Sequence, residues 1–325
     1  MMKKTTKRIL IGAGTAITGF GIFSAVSNWI SKTLMEIALD REEPKVMRRN
    51  KEKLRGSKKD AEYVEHLNAS AERLRNSEYE NVTATSRDGF CLTGHWRTCE
   101  NPKRVIVAMH GWRSSWNKDF GMIADFWHDN GCDVLYVEQR GQGESGGDYM
   151  GFGLLERYDC LSWIDWVNAR TEGKLPIYLG GVSMGATTVL MAAGLNLPSN
   201  VRGIVADCGF TSPRAIWKHV VRNNLHIPYR LHEAAISDLC KKKIQVSDEE
   251  YSTLDAMRAC TVPVLFVHGT EDKFVPIEMT YENYKACSAP KRLVVVPGAE
   301  HGMSYFTDPK RYESALREFW EEFDK

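Results

Sequence analysis

From Ile9 to Ser31 a mostly apolar run carries no charged residue, and Lys3, Lys4, Lys7 and Arg8 precede it. A run of that length crosses a bilayer as a helix, although Gly12, Gly14, Gly19 and Gly21 dilute it. The pattern predicts a basic flank over 1–8 and an uncleaved single-pass transmembrane anchor over 9–31. Two readings compete with it: a signal peptide cleaved near Ala25-Val26-Ser27, and a helix of an ordinary soluble domain. Basic residues before the span favour an inside amino terminus, which puts the rest of the chain on the extracytoplasmic side. Lys32, Arg41, Lys45, Arg48, Arg49 and Lys51 count against that orientation.

Residues 32–78 turn polar and strongly charged, the pattern of a juxtamembrane helix and linker. The basic residues between Lys45 and Lys59 suit either anionic lipid head groups or a solvated helix face.

Over 79–325 the rhythm becomes that of alternating strands and helices. Val82 to Ser86 and Phe90 to Trp96 flank Arg87-Asp88-Gly89, a hairpin with an Asp-Gly turn. Short apolar runs follow at Arg104–Met109, Val134–Glu138, Pro176–Gly180, Gly203–Ala206, Pro263–His268 and Arg292–Val296. Helical stretches lie near Asp119–Asn130, Leu154–Ala169, Ala186–Leu195, Ile277–Ala286 and Pro309–Phe323, the last with Asp308 as N-cap. Near-continuous apolar strands alternating with helices predict an α/β fold, a mainly parallel sheet of about eight strands covered on both faces. Ligands bind such sheets at the carboxyl ends of the strands. Residues 210–260 interrupt the alternation and read as a short helical insertion over that end.

The candidate chemistry sits at those strand ends. Gly181-Val182-Ser183-Met184-Gly185 matches Gly-x-Ser-x-Gly between a predicted strand and a helix rich in Ala, Leu and Met. A serine hydroxyl needs a positioned base, and the base needs an orienting carboxylate. Asp272 follows one later strand and His301 follows the next. Glu271 and Asp207 are reserve candidates for the acid, and Glu300 neighbours the base. Glu138-Gln139-Arg140-Gly141-Gln142-Gly143-Glu144-Ser145-Gly146 also spells G-x-G-x-x-G. A dinucleotide fingerprint should run straight into a helix, however, and Gly147 to Gly153 intervene.

The order Ser183, Asp272, His301 is that expected of an α/β-hydrolase, and the chain from about Val82 to Phe323 resembles that superfamily. Within it the resemblance is to serine hydrolases that include bacterial esterases, acylglycerol lipases and prolyl-oligopeptidase-like enzymes. It implies Ser183 as nucleophile, His301 as general base and then acid, and Asp272 as its orienter. His110-Gly111-Trp112 resembles the segment after the third strand, implying an oxyanion hole from the Trp112 and Met184 backbone N–H groups. The Glu138–Ser145 turn resembles the family's Asp-x-Arg-Gly-x-Gly-x-Ser, with Glu138 replacing the usual Asp. Hydrolysis of a carboxylic ester is the leading expectation. A peptidase or thioesterase with the same triad, and a non-catalytic binding protein on the same fold, are the alternatives.

Composition narrows the rest. With net charge +1 over 325 residues, nothing global points to nucleic acid. Eight cysteines without a C-x-x-C pair argue against a zinc or dithiol site, and neither a phosphate-binding G-x-x-x-x-G-K-[ST] nor a zinc-protease H-E-x-x-H occurs. No cofactor or metal is expected. The partners expected are a small ester or acyl substrate and, through the anchor, a membrane.

Overall fold

The computed structural model describes residues 25–44 and 58–324. Helix α1 covers 25–39 and α2 covers Lys58–Arg75. The hairpin β1 (Glu80–Thr85) and β2 (Cys91–Arg97) closes on Gly89 at φ 88°, where the Ser86 hydroxyl accepts the Phe90 N–H at 2.8 Å. Then follow β3 (Arg104–Met109), α3 (Trp116–Phe120), α4 (Ala124–Asp129), β4 (Cys132–Val137) and α5 (Glu156–Thr171). Next come β5 (Ile177–Val182), α6 (Met184–Ala192) and β6 (Val201–Asp207). Helices α7 (Pro213–His219), α8 (Glu233–Ile244) and α9 (Thr253–Ala259) occupy the stretch read as an insertion. The chain ends with β7 (Val264–Gly269), α10 (Ile277–Ala286), β8 (Lys291–Val296), α11 (Ser304–Thr307) and α12 (Pro309–Phe323). The Asp308 side chain caps α12 by accepting the Arg311 N–H at 3.1 Å.

The eight strands form one sheet in the order β1-β2-β4-β3-β5-β6-β7-β8. The hairpin is antiparallel to its neighbour and β3 to β8 run parallel. Because side chains alternate across a sheet, β3 divides its apolar run between two cores. Val105, Val107 and Met109 pack with Trp163 on one face, and Ile106 and Ala108 with Trp127 and Trp320 on the other. The predicted helix over Asp119–Asn130 is broken into α3 and α4 around Gly121. A Cβ there would lie 2.7 Å from the Ser70 backbone, where α2 crosses closely.

The predicted membrane anchor is overturned. Among the described residues no helix is long and apolar enough to cross a membrane. Residues 9–24 of the predicted span lie outside the described residues; residues 25–31 open α1, which ends at 39. Its buried residues, Ser31, Met35, Ala38 and Leu39, recur at helical spacing on one face, and the last three pack into a core with Phe210, Trp217 and Ile236. Of the charge-free run, residues 25–30 are exposed or half-buried and Ser31 is buried. The single-pass attachment and the extracytoplasmic placement fall with the anchor. Most of the basic run that followed it, 45–57, also lies outside the described residues.

Candidate active site

Ser183 sits between β5 and α6 with φ 55° and ψ −116°, a backbone conformation rare for a residue with a side chain. The turn closes because its neighbours lack side chains. A Cβ on Gly181 would overlap the Gly185 backbone, and one on Gly185 would overlap the Met109 carbonyl of β3. The Ser183 N–H donates to Asp207 O at 2.8 Å, tying the turn to the end of β6.

His301 Nε2 lies 2.9 Å from Ser183 Oγ, and His301 Nδ1 lies 2.7 Å from Asp272 Oδ2. A carboxylate only accepts, so Nδ1 carries the proton and Nε2 is left to accept the serine hydroxyl. Asp272 Oδ1 accepts the N–H groups of Phe274 at 2.9 Å and Val275 at 2.8 Å. Burial alone would raise the Asp272 carboxyl. Hydrogen bonds from His268 and His301 outweigh it and hold the group below the ordinary carboxylate range.

His268, at the end of β7, is the residue that the sequence reading missed. It is fully buried, its Nε2 lying 2.9 Å from Val275 O and 3.2 Å from Asp272 Oδ2. Since both partners can only accept, Nε2 is protonated and Nδ1 takes the Thr280 hydroxyl at 2.6 Å. The one local signal was its position in Val267-His268-Gly269, four residues before Asp272 at the same strand end.

The reserve acids do not reach the base. Asp207 accepts the Ser304 hydroxyl at 2.8 Å, and burial pushes its carboxyl up to about 6. Glu271 and Glu300 are exposed. His110 is buried behind the site, its Nδ1 on Gly111 O at 2.8 Å and its Nε2 accepting the Gln139 N–H at 3.2 Å. It fixes the loop after β3. The Gly111 N–H is taken by Asp119 at 2.6 Å, whereas the Trp112 and Met184 N–H groups donate to nothing among the described residues. Met184 is the first residue of α6, where an amide has no intrahelical acceptor.

In the Glu138–Ser145 turn the longer acid finds its own partners: Glu138 meets His95 Nε2 at 3.1 Å and accepts the Glu144 N–H. Arg140 pairs instead with Asp159, at 2.5 and 2.6 Å, and with Asp88, at 2.8 and 3.0 Å. Cys208 completes with Asp272 and His301 the one cluster of potential metal ligands among the described residues. Burial raises its thiol well above the ordinary value.

Two clefts meet at Ser183. One of about 310 Å³ is lined by His301, Tyr63, Ser114, Asp119 and Tyr305. The other, of about 540 Å³, is almost wholly apolar and takes Leu34, Met35, Ile37 and Ala38 from α1. Trp112 and Phe274, stacked with ring centres 6.4 Å apart, line both.

A nucleophile-type turn at the carboxyl end of a central parallel strand, within this strand order, defines an α/β-hydrolase fold. More particularly, residues 100–253 match the model of a family described as "Serine aminopeptidase, S33". The chain is 28% identical over 235 residues to the uncharacterised protein YqkD of Bacillus subtilis, covering 71% of this chain and 75% of that one. Among solved structures it resembles the Pyrococcus furiosus esterase Pf2001, with a TM-score of 0.60 and 22% identity over 76% of this chain and 92% of that one. It also resembles the Pyrococcus horikoshii acylaminoacyl peptidase, with a TM-score of 0.58 and 18% identity over 78% of this chain and 43% of that one.

Proposed function

We propose that the protein is a serine hydrolase that cleaves a carboxylic ester through an acyl-enzyme. Ser183 Oγ attacks the carbonyl carbon while His301 Nε2 takes its proton. The tetrahedral oxyanion is held by the Trp112 and Met184 N–H groups, each such donor being worth about 3 kcal/mol in the transition state. His301 returns the proton to the departing alcohol. A water molecule, deprotonated by the same imidazole, then attacks the acyl-enzyme and releases the acid. Asp272 keeps the imidazole in the required tautomer and stabilises its charged form.

The observation that carries this reading is the continuous chain Ser183 Oγ, His301, Asp272, with contacts of 2.9 and 2.7 Å. The strained Ser183 backbone adds to it, since strain of this kind costs about 1–3 kcal/mol and persists where a side chain must be presented. An ester is favoured over a peptide by the apolar pocket beside the serine, which suits a hydrophobic acid better than a polar peptide backbone.

The test uses the full chain with p-nitrophenyl esters, acyl thioesters and aminoacyl anilides, and Ser183→Ala as control. The reading expects ester turnover that vanishes in Ser183→Ala, together with covalent modification of Ser183 by a fluorophosphonate. Faster turnover of anilides than of esters would transfer the assignment to a peptidase. An unmodified Ser183 in folded protein would end it.

A further inference from the structure

Helix α1 is built into the active site at its carboxyl end. The last carbonyls of a helix lack intrahelical donors, and those of α1 are met by residues around the site. Trp112 Nε1–H donates to Ala38 O at 2.8 Å, and the Met150 N–H to Leu39 O at 2.7 Å. Arg113 Nη2 donates to Ile37 O at 2.9 Å and to Asp40 O at 2.6 Å. Arg113 adopts a left-handed φ of 51°, which these bonds help to hold. Lys243 pairs with Asp40 at 2.5 Å, and Ser31 Oγ lies 3.0 Å from His232 Nδ1 at the other end of the docked face. The helix is thus fastened both to the loop after β3 and to α8.

Between α1 and the inserted helices lies the apolar pocket of about 540 Å³, with Ser183 on its lining. Leu34, Met35, Ile37 and Ala38 form one wall, and Trp217 and Ile236 belong to the inserted helices. Which part of an ester enters it follows from the proton. The leaving alcohol takes its proton from His301 Nε2, so it must depart on the imidazole's side. His301 lines the smaller cleft and not the apolar pocket. The acyl group therefore lies in the apolar pocket, against α1.

Resting on the ester-hydrolase reading above, we propose that α1 sets the acyl-chain specificity of the enzyme: it walls the acyl pocket, and the substrates are esters of hydrophobic carboxylic acids well longer than acetate. The carbonyl anchors keep this wall at a fixed distance from the nucleophile, so bulk added on α1 shortens the pocket and bulk removed lengthens it.

The test measures the rate at which methyl-, octyl- and dodecylfluorophosphonates label Ser183 in the full chain, read by intact mass. In labelling, the Ser183 Oγ–P bond forms, the P–F bond breaks, fluoride leaves and the hydroxyl proton passes to His301. The parent protein is expected to react at least tenfold faster with the octyl than with the methyl probe. Leu34→Trp and Ile37→Trp should lower that octyl-to-methyl ratio at least tenfold. Leu34→Ala, whose fold is at less risk, should raise the dodecyl-to-octyl ratio at least threefold. Ratios unchanged in all three variants, or a parent that prefers the methyl probe, would overturn the role of α1 while leaving the hydrolase reading intact. A parent in which no probe labels Ser183 would overturn both.

Discussion

His268 Nε2 lies 3.2 Å from Asp272 Oδ2, the same oxygen that meets His301 Nδ1 at 2.7 Å. Two imidazoles thus converge on one carboxylate oxygen, while two backbone N–H groups hold the other. His268 is on the strand and fully buried, so it fixes where the carboxylate stands. A hydrogen bond to a charged group contributes about 1.5–3 kcal/mol. His268→Ala should therefore lower kcat on a reactive ester by roughly 10- to 100-fold with little change in KM. His268→Gln, which keeps an N–H donor, should recover part of the loss in the same steady-state assay.

Asp272→Asn would present a donor where His301 Nδ1–H needs an acceptor, favouring the wrong imidazole tautomer. An equivalent exchange in a serine triad lowers kcat by about 10⁴. The same drop should appear in fluorophosphonate labelling of Ser183, with the thermal midpoint measured in parallel to separate chemistry from stability.

Gly185→Ala tests the turn. Its Cβ would overlap the Met109 carbonyl, part of β3 in the middle of the sheet, and backbone cannot swing aside as a side chain can. Overpacking at such a place costs about 3 kcal/mol or more. Urea unfolding should show a midpoint lowered accordingly, or no folded protein. Gly298→Ala, at a site where an added Cβ meets nothing within 4 Å, should cost much less despite its φ of 73°.

Asp207 gives a signature in pH. Burial raises its folded carboxyl to about 6, against 3.8 for the ordinary group. Stability from this group is fully present below the unfolded value and is lost as pH rises through the folded one. The full loss is on the order of 3 kcal/mol. Calorimetry from pH 4 to 7 should find that Asp207→Asn, which can still accept from Ser304, gains on the parent as pH rises.

The strands were legible because buried parallel strands are apolar on both faces, and the turn because only glycine fits beside Ser183. The order of Ser183, Asp272 and His301 was legible too, and the fold brings all three within hydrogen-bonding reach. His268 was hidden for a physical reason: inside an apolar strand, nothing local says that its ring turns toward a carboxylate in the next loop. Helix α1 misled for a related reason. The predicted span stops at Ser31, whereas the helix runs on past Lys32 and Glu36 to residue 39 and buries Met35 and Leu39 against partners far along the chain, which the charge-free run did not announce.

Those distances have a temporal meaning. The hydrogen-bond partners of α1 stand 74 to 205 residues downstream, at Trp112 and His232. Contacts so remote in the chain must wait for long loops to close. The helix can therefore take its seat only after partners made much later in the chain have joined it. Until it does, the rest of the fold stands with one wall of its apolar pocket missing.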